Sequence, residues 1–422
     1  QGIAYAQMQR EAINQAVEKG LLVLTGGPGT GKTTTLNAII EILEKHGEKV
    51  DIAAPTGRAA KRLTEITGRE AKTIHRLLEA EFTGDDRSVF ARDERNPLDC
   101  DALIVDELSM TDSLLFESLL KAVPMRCRLI MVGDSDQLPS VGAGNVLHDL
   151  IASGVLPVVQ LKEVFRQAQS SAIVINAHKI VSGQMPDLAL KSSDFFFITA
   201  SSGEGVRDKI LELCTKRLPA AYNYDPLKDI QVLAPGKKGA AGTIELNLRL
   251  QELLNPPSKA KKEHTFHQIL LREGDKVMQI KNNYDINWQY PDGKRGTGVY
   301  NGDIGILMRI DRASSTLLIR FDDKDASYSF DDAQELDLAY AMTVHKSQGS
   351  EFEAVVMPVY NGPPQLYFRN LLYTAVTRAR SLIILVGTQY TVKKMVDNNK
   401  KTNRYSGLNE FLTLGEDDGE QK

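Results

Sequence analysis

The stretch GGPGTGKT, Gly26–Thr33, holds four glycines, a lysine and two threonine hydroxyls, and fits the spacing G-x-x-x-x-G-K-[ST]. Such a loop does one kind of chemistry well. Gly27, Gly29 and Gly31, together with Thr30, let successive backbone N–H groups curl around phosphate oxygens. Lys32 supplies a point charge to the β and γ phosphates, and the hydroxyls of Thr33 and Thr34 lie where Thr33 can ligate magnesium. The loop directly follows the apolar run LLVLT and precedes a helix-compatible stretch, the context the motif requires.

Further candidates end later apolar runs. Asp106 and Glu107 close DALIVDE, where one carboxylate can hold magnesium and the other can orient and deprotonate the attacking water. Adjacent carboxylates at a strand end also signal a helix start, but beside a phosphate loop the chemical reading is the stronger. Gln137 in GDSDQLPS is a candidate γ-phosphate sensor. Hydrolysis gains roughly 10³–10⁵ in rate from an arginine that meets the transition-state charge. Arg166 in VFRQ and Arg378 in YTAVTRAR are suited to that task, and are expected to reach a nucleotide from a second lobe. Far downstream of Lys32, the polar run TVHKSQGSEFE carries Thr343, His345, Gly349 and Glu351 just before another apolar strand. Glu351 is expected to face the nucleotide, and Thr343 and His345 a bound polymer.

The elements that must position these residues alternate. LLVLT, DALIVDE, RLIMVGD, DIQVLAP, AVVMPV and SLIILVG read as buried parallel strands, each followed by a loop and a helix-period stretch. Three precede residue 160 and three follow, which predicts an α/β chain of two lobes with parallel sheets, residues 1–162 for the first and residues 163–268 with 336–412 for the second. Between Leu270 and Phe330 short strand-like runs separated by Gly, Asn and Asp predict a small antiparallel β-barrel over 269–335, entered through NPPSKAKKE. A polar segment at 81–97 reads as a β-hairpin or a surface loop, and residues 413–422 as an acidic, disordered tail.

Composition limits the alternatives. With 422 residues and 42% hydrophobic content the chain has ample core for two to four domains. The three cysteines, Cys100, Cys127 and Cys214, are far apart in sequence and form no Cys-x-x-Cys pair, which argues against zinc or a disulfide framework and for buried small apolar residues. No apolar run reaches the roughly 18 residues of a membrane span, so no membrane partner and a cytoplasmic location are expected. The net charge of −4 argues against bulk electrostatic attachment to nucleic acid. A local groove can still be basic: Pro55 to Arg76 holds six Arg or Lys against two Glu.

In order along the chain, MQREAI, GGPGTGKT, APTGRAAKRL, TIHRLL, IVDELSM, VGDSDQLPS, VFRQ, TVHKSQGSEFE and YTAVTRAR resemble the motifs of superfamily 1 helicases, most closely the RecD-like group. The resemblance implies two RecA-like motor lobes with a Src-homology-type (SH3-like) barrel inserted in the second, ATP and Mg²⁺ as cofactors, and an ATP hydrolase that moves 5′ to 3′ on single-stranded DNA in recombination or repair. It implies that Gln9 recognises adenine and Glu351 ribose, and that Gln137, Arg166 and Arg378 contact the γ-phosphate. Thr56, Arg58, Thr73, His75, Thr343 and His345 would touch the DNA backbone, which suits sliding without reading sequence. The segment at 81–97 would be the pin that splits duplex at a single-strand/double-strand junction. A monomeric motor is expected, with recombination or nuclease subunits as further partners. Three readings remain open: this motor, an ATP-switched nucleic-acid-binding subunit of a nuclease–helicase complex without its own unwinding, and an RNA-directed motor, since backbone contacts distinguish DNA from RNA only where the 2′-hydroxyl is sensed.

Overall fold

The computed structural model describes residues 4–83, 87–165, 168, 170–190, 194–266, 269–399 and 406–417. It divides into two compact units, Gln1–His178 with Lys400–Lys422, and Lys179–Asn399.

The first unit is built on strands β1 (Leu21–Gly26), β2 (Val50–Ala54), β3 (Ala71–Thr73), β6 (Ala102–Val105), β7 (Arg128–Gly133) and β8 (Val158–Leu161), in the order β3-β2-β6-β7-β1-β8. Every pairing in this sheet is parallel. Helices α1 (Gln7–Glu18), α2 (Lys32–Lys45) and α3 (Gly57–Thr67) belong to this unit, as do α4 (Ile74–Leu77), α5 (Ser113–Ala122), α6 (Val146–Ser153) and most of α7 (Ala172–Val181). The central strands β1, β6 and β7 bury both faces. Leu22 and Leu24 of β1 join Ala12, Leu36, Ile39 and Leu43 of α1 and α2, while Val23 joins Phe116, Leu119, Leu147 and Leu150 of α5 and α6. The near-continuous apolar runs in the sequence follow from this two-sided burial.

Strands β2, β3 and β8 were absent from the sequence expectation, which placed three strands in this part of the chain. VDIAA carries a charge, AKT is three residues long, and VVQL sits at the sheet edge, so none shows a long apolar run. Strands β4 (Ala80–Thr83) and β5 (Arg87–Phe90) pair as a separate antiparallel hairpin whose turn lies outside the described residues.

The second unit contains a parallel sheet of β9 (Phe195–Thr199), β10 (Ile230–Ala234), β20 (Ala341–Thr343), β21 (Phe352–Val359) and β22 (Ala379–Gly387), in the order β20-β10-β21-β22-β9. Its helices are α8 (Gly203–Glu212), α9 (Leu218–Tyr222), α10 (Thr243–Leu254), α11 (Arg369–Val376) and α12 (Gln389–Asp397). Between β10 and β20 the chain makes the hairpin of β11 (Glu263–Phe266) and β12 (Ile269–Arg272), then β13 (Lys276–Gln279), β14 (Asn283–Gln289), β15 (Arg295–Val299), β16 (Ile304–Asp311), β17 (Thr316–Phe321), β18 (Lys324–Ser329) and β19 (Leu336–Leu338). Strands β13 to β19 form a seven-stranded antiparallel sheet. One core serves both sheets: Val232 and Val356 share it with Leu307, Ile319 and Tyr328.

The tail expected to be disordered from residue 413 is helical as far as Asp417. α13 (Leu408–Asp417) packs Leu408 and Leu412 on the α5–α6 face of the first unit, and Ser406 Oγ donates to Asp149 at 2.5 Å. Two leucines four apart supply an apolar stripe that the acidic composition concealed. Cys100 and Cys127, distant in sequence, bring their sulfurs to 3.7 Å at the starts of β6 and β7, and all three cysteines are buried. Among the described residues no helix is long and apolar enough to cross a membrane.

Candidate nucleotide site and nucleic-acid contacts

Three neighbouring strands, β6, β7 and β1, carry the candidate catalytic residues of the first unit at their carboxyl ends. In an open parallel sheet this edge is where ligands bind, because loops there are free to diverge while the strands fix their roots.

After β1 the chain turns through Gly29 at φ +72° and Gly31 at φ +80°, both in the left-handed region. Space excludes a side chain at either position. A Cβ on Gly31 would lie 2.5 Å from the Phe165 ring and 2.6 Å from Gln9 Nε2, and one on Gly29 would lie 2.7 Å from Ala168 Cβ. Thr30 is buried and donates to the Gly27 carbonyl at 2.8 Å, so its hydroxyl shapes the loop. Lys32 donates to the carbonyls of Gly26 and, at 3.2 Å, Gly27, folding its ammonium into the concavity that the loop encloses. Thr33 is half-buried in the first turn of α2 and Thr34 exposed.

Gln9, expected to read adenine, is buried and braces the loop. Its Nε2 donates to Thr35 Oγ1 at 3.1 Å and to the Gly31 carbonyl at 3.3 Å, and its Oε1 accepts from Ala6 N at 3.0 Å. Phe165 N donates to the Gly29 carbonyl at 3.2 Å, and His178 Nε2 donates to the Pro28 carbonyl at 3.2 Å. Phe165 and His178 were not among the expected site residues. Phe165 stands beside Arg166 in the quoted VFRQ, whereas nothing in the sequence marks His178. Arg166 itself lies outside the described residues.

Asp106 follows β6, and burial first, with the neighbouring Glu107 second, pushes its carboxyl up to about 6. A carboxylate held there at a desolvation penalty gains from a cation, which fits the residue for a divalent metal. Glu107 adopts φ +53° and ψ +38°, a conformation uncommon outside glycine, and its N–H donates to Asp106 Oδ1 at 2.8 Å. At the end of β7, buried Asp134 accepts from Asp136 N at 3.0 Å and Gln137 Nε2 at 3.2 Å. Asp134 thus orients Gln137, a role that GDSDQ did not reveal without coordinates.

The expected polymer contacts in the first unit follow β2 and β3. Thr56 caps α3, accepting from Ala59 N at 3.3 Å, and Arg58 lies in the first turn of the same helix. Thr73 caps α4, accepting from Arg76 N at 3.1 Å. A capping hydroxyl accepts through oxygen and keeps its hydrogen to donate. His75 is held below its ordinary pKa by burial, against the opposing pull of Asp112, and its ring lies 5.9 Å from that of Phe90 at the foot of the β4–β5 hairpin.

Within the second unit Thr343 caps the turn Val344–Ser347, accepting from Lys346 N at 3.4 Å, and His345 is half-buried in that turn. Glu351 pairs with Arg380 at 3.2 Å. Arg378 is 2% exposed; it donates through a terminal nitrogen to the Ser350 carbonyl at 3.2 Å, and among the described residues its buried Nε has no hydrogen-bond partner. A buried arginine with an unused donor is an unsettled charge, which an anion would settle.

Such a loop, with two carboxylates and a glutamine on one sheet edge, defines a P-loop nucleoside triphosphatase. Residues 9–143 match an AAA domain family, 246–321 the SH3 domain of ATP-dependent RecD-like DNA helicases, and 338–386 the UvrD-like helicase C-terminal domain. The ATP-dependent RecD2 DNA helicase of Deinococcus radiodurans is 36% identical over 385 residues, covering 91% of this chain and 49% of that protein. The RecBCD enzyme subunit RecD of Mycolicibacterium smegmatis is 30% identical over 437 residues, covering 96% and 74%. A solved structure of Bacteroides Pif1 bound to ssDNA shares the fold at a TM-score of 0.54 and 18% identity, over 99% of this chain and 98% of that one. The chain belongs to the RecD-like family of superfamily 1 DNA helicases. It spans about half the length of the Deinococcus relative.

Proposed function

We propose that this chain is the motor of an ATP-driven translocase that moves 5′ to 3′ along single-stranded DNA, opens duplex at junctions, and serves recombination or repair. The carrying observation is the convergence of the Gly29–Lys32 loop, Asp106, Glu107 and Gln137 at the carboxyl ends of β1, β6 and β7. Likeness to DNA helicases supports the nucleic-acid substrate, and the direction is proposed from the resemblance of the motifs to the RecD-like group.

Lys32 exchanges its Gly26 and Gly27 carbonyls for phosphate oxygens as the nucleotide enters. A magnesium ion held by Thr33 and Asp106 would neutralise charge on the β and γ phosphates. Glu107 takes the proton of the attacking water, and Gln137, held by Asp134, senses the γ-phosphate. Arg166 and Arg378 are proposed as its cations, Gln9 and Glu351 as contacts to the nucleoside. Thr56, Arg58, Thr73, His75, Thr343 and His345 are proposed to donate to backbone phosphates, and the β4–β5 hairpin to act as the pin.

Unwinding of duplexes tailed with a 5′ or a 3′ overhang tests activity and direction together. Opening of the 5′-tailed substrate alone supports the proposal; opening of the 3′-tailed substrate alone removes the direction. The name of the mycobacterial relative, a subunit of an enzyme complex, favours a second reading in which the chain binds DNA and ATP without unwinding alone. Displacement of streptavidin from biotinylated oligonucleotides by the isolated chain excludes that reading. Matched DNA and RNA strands compared for ATPase stimulation decide the polymer.

A further inference from the structure

A phosphate loop binds through its backbone N–H groups, so its carbonyl oxygens must be held facing the other way. In this chain the carbonyls of Gly26 and Gly27 meet Lys32, with the Thr30 hydroxyl also on Gly27, and that of Gly31 meets Gln9 and Thr35. Two more lie at the tip of the loop. The Gly29 carbonyl accepts from Phe165 N and the Pro28 carbonyl from His178 Nε2, both at 3.2 Å. His178 lies 150 residues beyond Pro28 and has been given no role so far.

We propose that His178 is a positioning residue of the nucleotide site: its ring N–H fixes the Pro28–Gly29 peptide with the carbonyl outward and the Gly29 N–H toward the phosphates. This deepens the reading of Gly26–Thr33 as the ATP site and rests on it; the polymer and the direction of movement do not enter.

The Pro28–Gly29 peptide is the loosest joint in the loop. Pro28 and Gly29 are the central residues of a turn, and Gly29 stands at φ +72°. Proline followed by glycine with positive φ is the type II combination, with the proline φ fixed by its ring. Turning the joining peptide over gives the type I combination and changes little beyond the proline ψ and the glycine φ. Glycine takes either sign of φ at small cost, so the residue that lets the loop form also lets this peptide turn. The oxygen and the amide hydrogen of one trans peptide point in opposite directions. A turned peptide would aim the Pro28 oxygen where the Gly29 N–H belongs, and an attraction to phosphate would become a repulsion.

The helix that carries His178 is placed to prevent this. Val174 and His178 are four residues apart in α7 and share one face. That face lies against the loop, because a Cβ on Gly29 would stand 3.1 Å from Val174 Cγ1. Ile173, Ala177 and Ile180 are buried and anchor the helix. The Pro28 carbonyl can only accept, so the imidazole must carry its hydrogen on Nε2. A hydrogen bond to the oxygen of a peptide also sets the direction of its N–H.

The test compares His178→Phe, which keeps a ring without a donor, with His178→Gln, whose amide N–H reaches about as far as Nε2. The full chain is titrated with a fluorescent ATP analogue and Mg²⁺ in the absence of nucleic acid, and its ATP hydrolysis is assayed with single-stranded DNA. His178→Phe is expected to weaken binding about three- to tenfold, the worth of one neutral hydrogen bond. KM for ATP should rise in step with kcat nearly unchanged, because the loop holds substrate and transition state alike. His178→Gln should return both quantities to within about twofold of the parent. Parent-like binding in His178→Phe, or a glutamine variant as weak as the phenylalanine one, overturns the inference. A fall in kcat without a rise in KM, or a phenylalanine variant that no longer folds, overturns it as well, since the ring would then serve the chemical step or the packing. A parent chain that fails to bind the analogue removes the reading of the loop itself, and is recognised before any variant is made.

Discussion

Asp106→Asn is expected to raise the melting temperature of the first unit while abolishing ATP hydrolysis. The Asp106 carboxyl moves from an ordinary 3.8 to about 6 on folding, because burial and Glu107 disfavour its charge. That difference corresponds to about 3 kcal/mol at most, and to about 1–2 kcal/mol once the partial exposure of the residue is allowed for. The sign follows from linkage: a group with a raised folded pKa favours the fold fully below pH 3.8, and the favour is lost as pH rises through about 6. Above pH 6 the native protein therefore carries the full penalty, and asparagine, uncharged and nearly the same shape, does not. Asn can still accept the Glu107 N–H through Oδ1. At about 2–4 °C per kcal/mol for a body of 150–250 residues, the first unit of the variant should melt about 2–8 °C higher at pH 7.5 without nucleotide or metal. Scanning calorimetry at pH 4, 5.5 and 7.5 measures this, with the gain shrinking toward zero at the acid end. Magnesium and nucleotide should stabilise the parent and leave the variant unmoved. A variant that melts at or below the parent at pH 7.5, or a gain independent of pH, would refute the reasoning.

Gly31→Ala should abolish nucleotide binding measured by titration calorimetry, since φ +80° strains any side chain and the new methyl meets Phe165 and Gln9; binding within threefold of the parent would mean the loop relaxes freely. Arg378→Ala should keep nucleotide affinity within a small factor and lose roughly 10³-fold in DNA-stimulated turnover, whereas equal losses in binding and turnover would place Arg378 outside the transition state. Because burial holds His75 below its ordinary pKa, it should remain neutral at pH 7 and act as a hydrogen-bond donor. Its NMR titration should accordingly fall below 6.5, and a midpoint above 7 would contradict the burial account. Asp275 is fully buried and accepts from Gln251, Asn255, Arg272 N and Tyr340, so Asp275→Ala strands several donors. The second unit should lose about 3 kcal/mol or more in denaturant melts. Less than about 1 kcal/mol would mean that water replaces the carboxylate.

Much of this protein is written locally. GGPGTGKT after LLVLT announces a phosphate loop because the chemistry, the glycine conformations and the strand-to-helix context all lie within about 20 residues. Long buried strands are equally legible, since burial on both faces needs an unbroken apolar run, and six such runs located β1, β6, β7, β10, β21 and β22. Spacing of Gly, Asn and Asp likewise disclosed the antiparallel insertion.

What the sequence left undetermined depends on contacts between distant segments. β3 and β20 are three residues each and owe their existence to the neighbours they pair with, β2 and β10, rather than to their own composition. The resemblance puts Gln9 at a base, and only the folded chain shows its amide also meeting Thr35 and the Gly31 carbonyl. Asp134 behind Gln137, Phe165 against Gly31, the meeting of Cys100 with Cys127 and the docking of α13 arise only when the chain closes on itself. Composition and periodicity fix what a segment can bury or bind. Which partner completes it is decided by the packing of the whole unit, where a side chain's remaining hydrogen bonds and surface are satisfied by residues that sequence spacing does not relate.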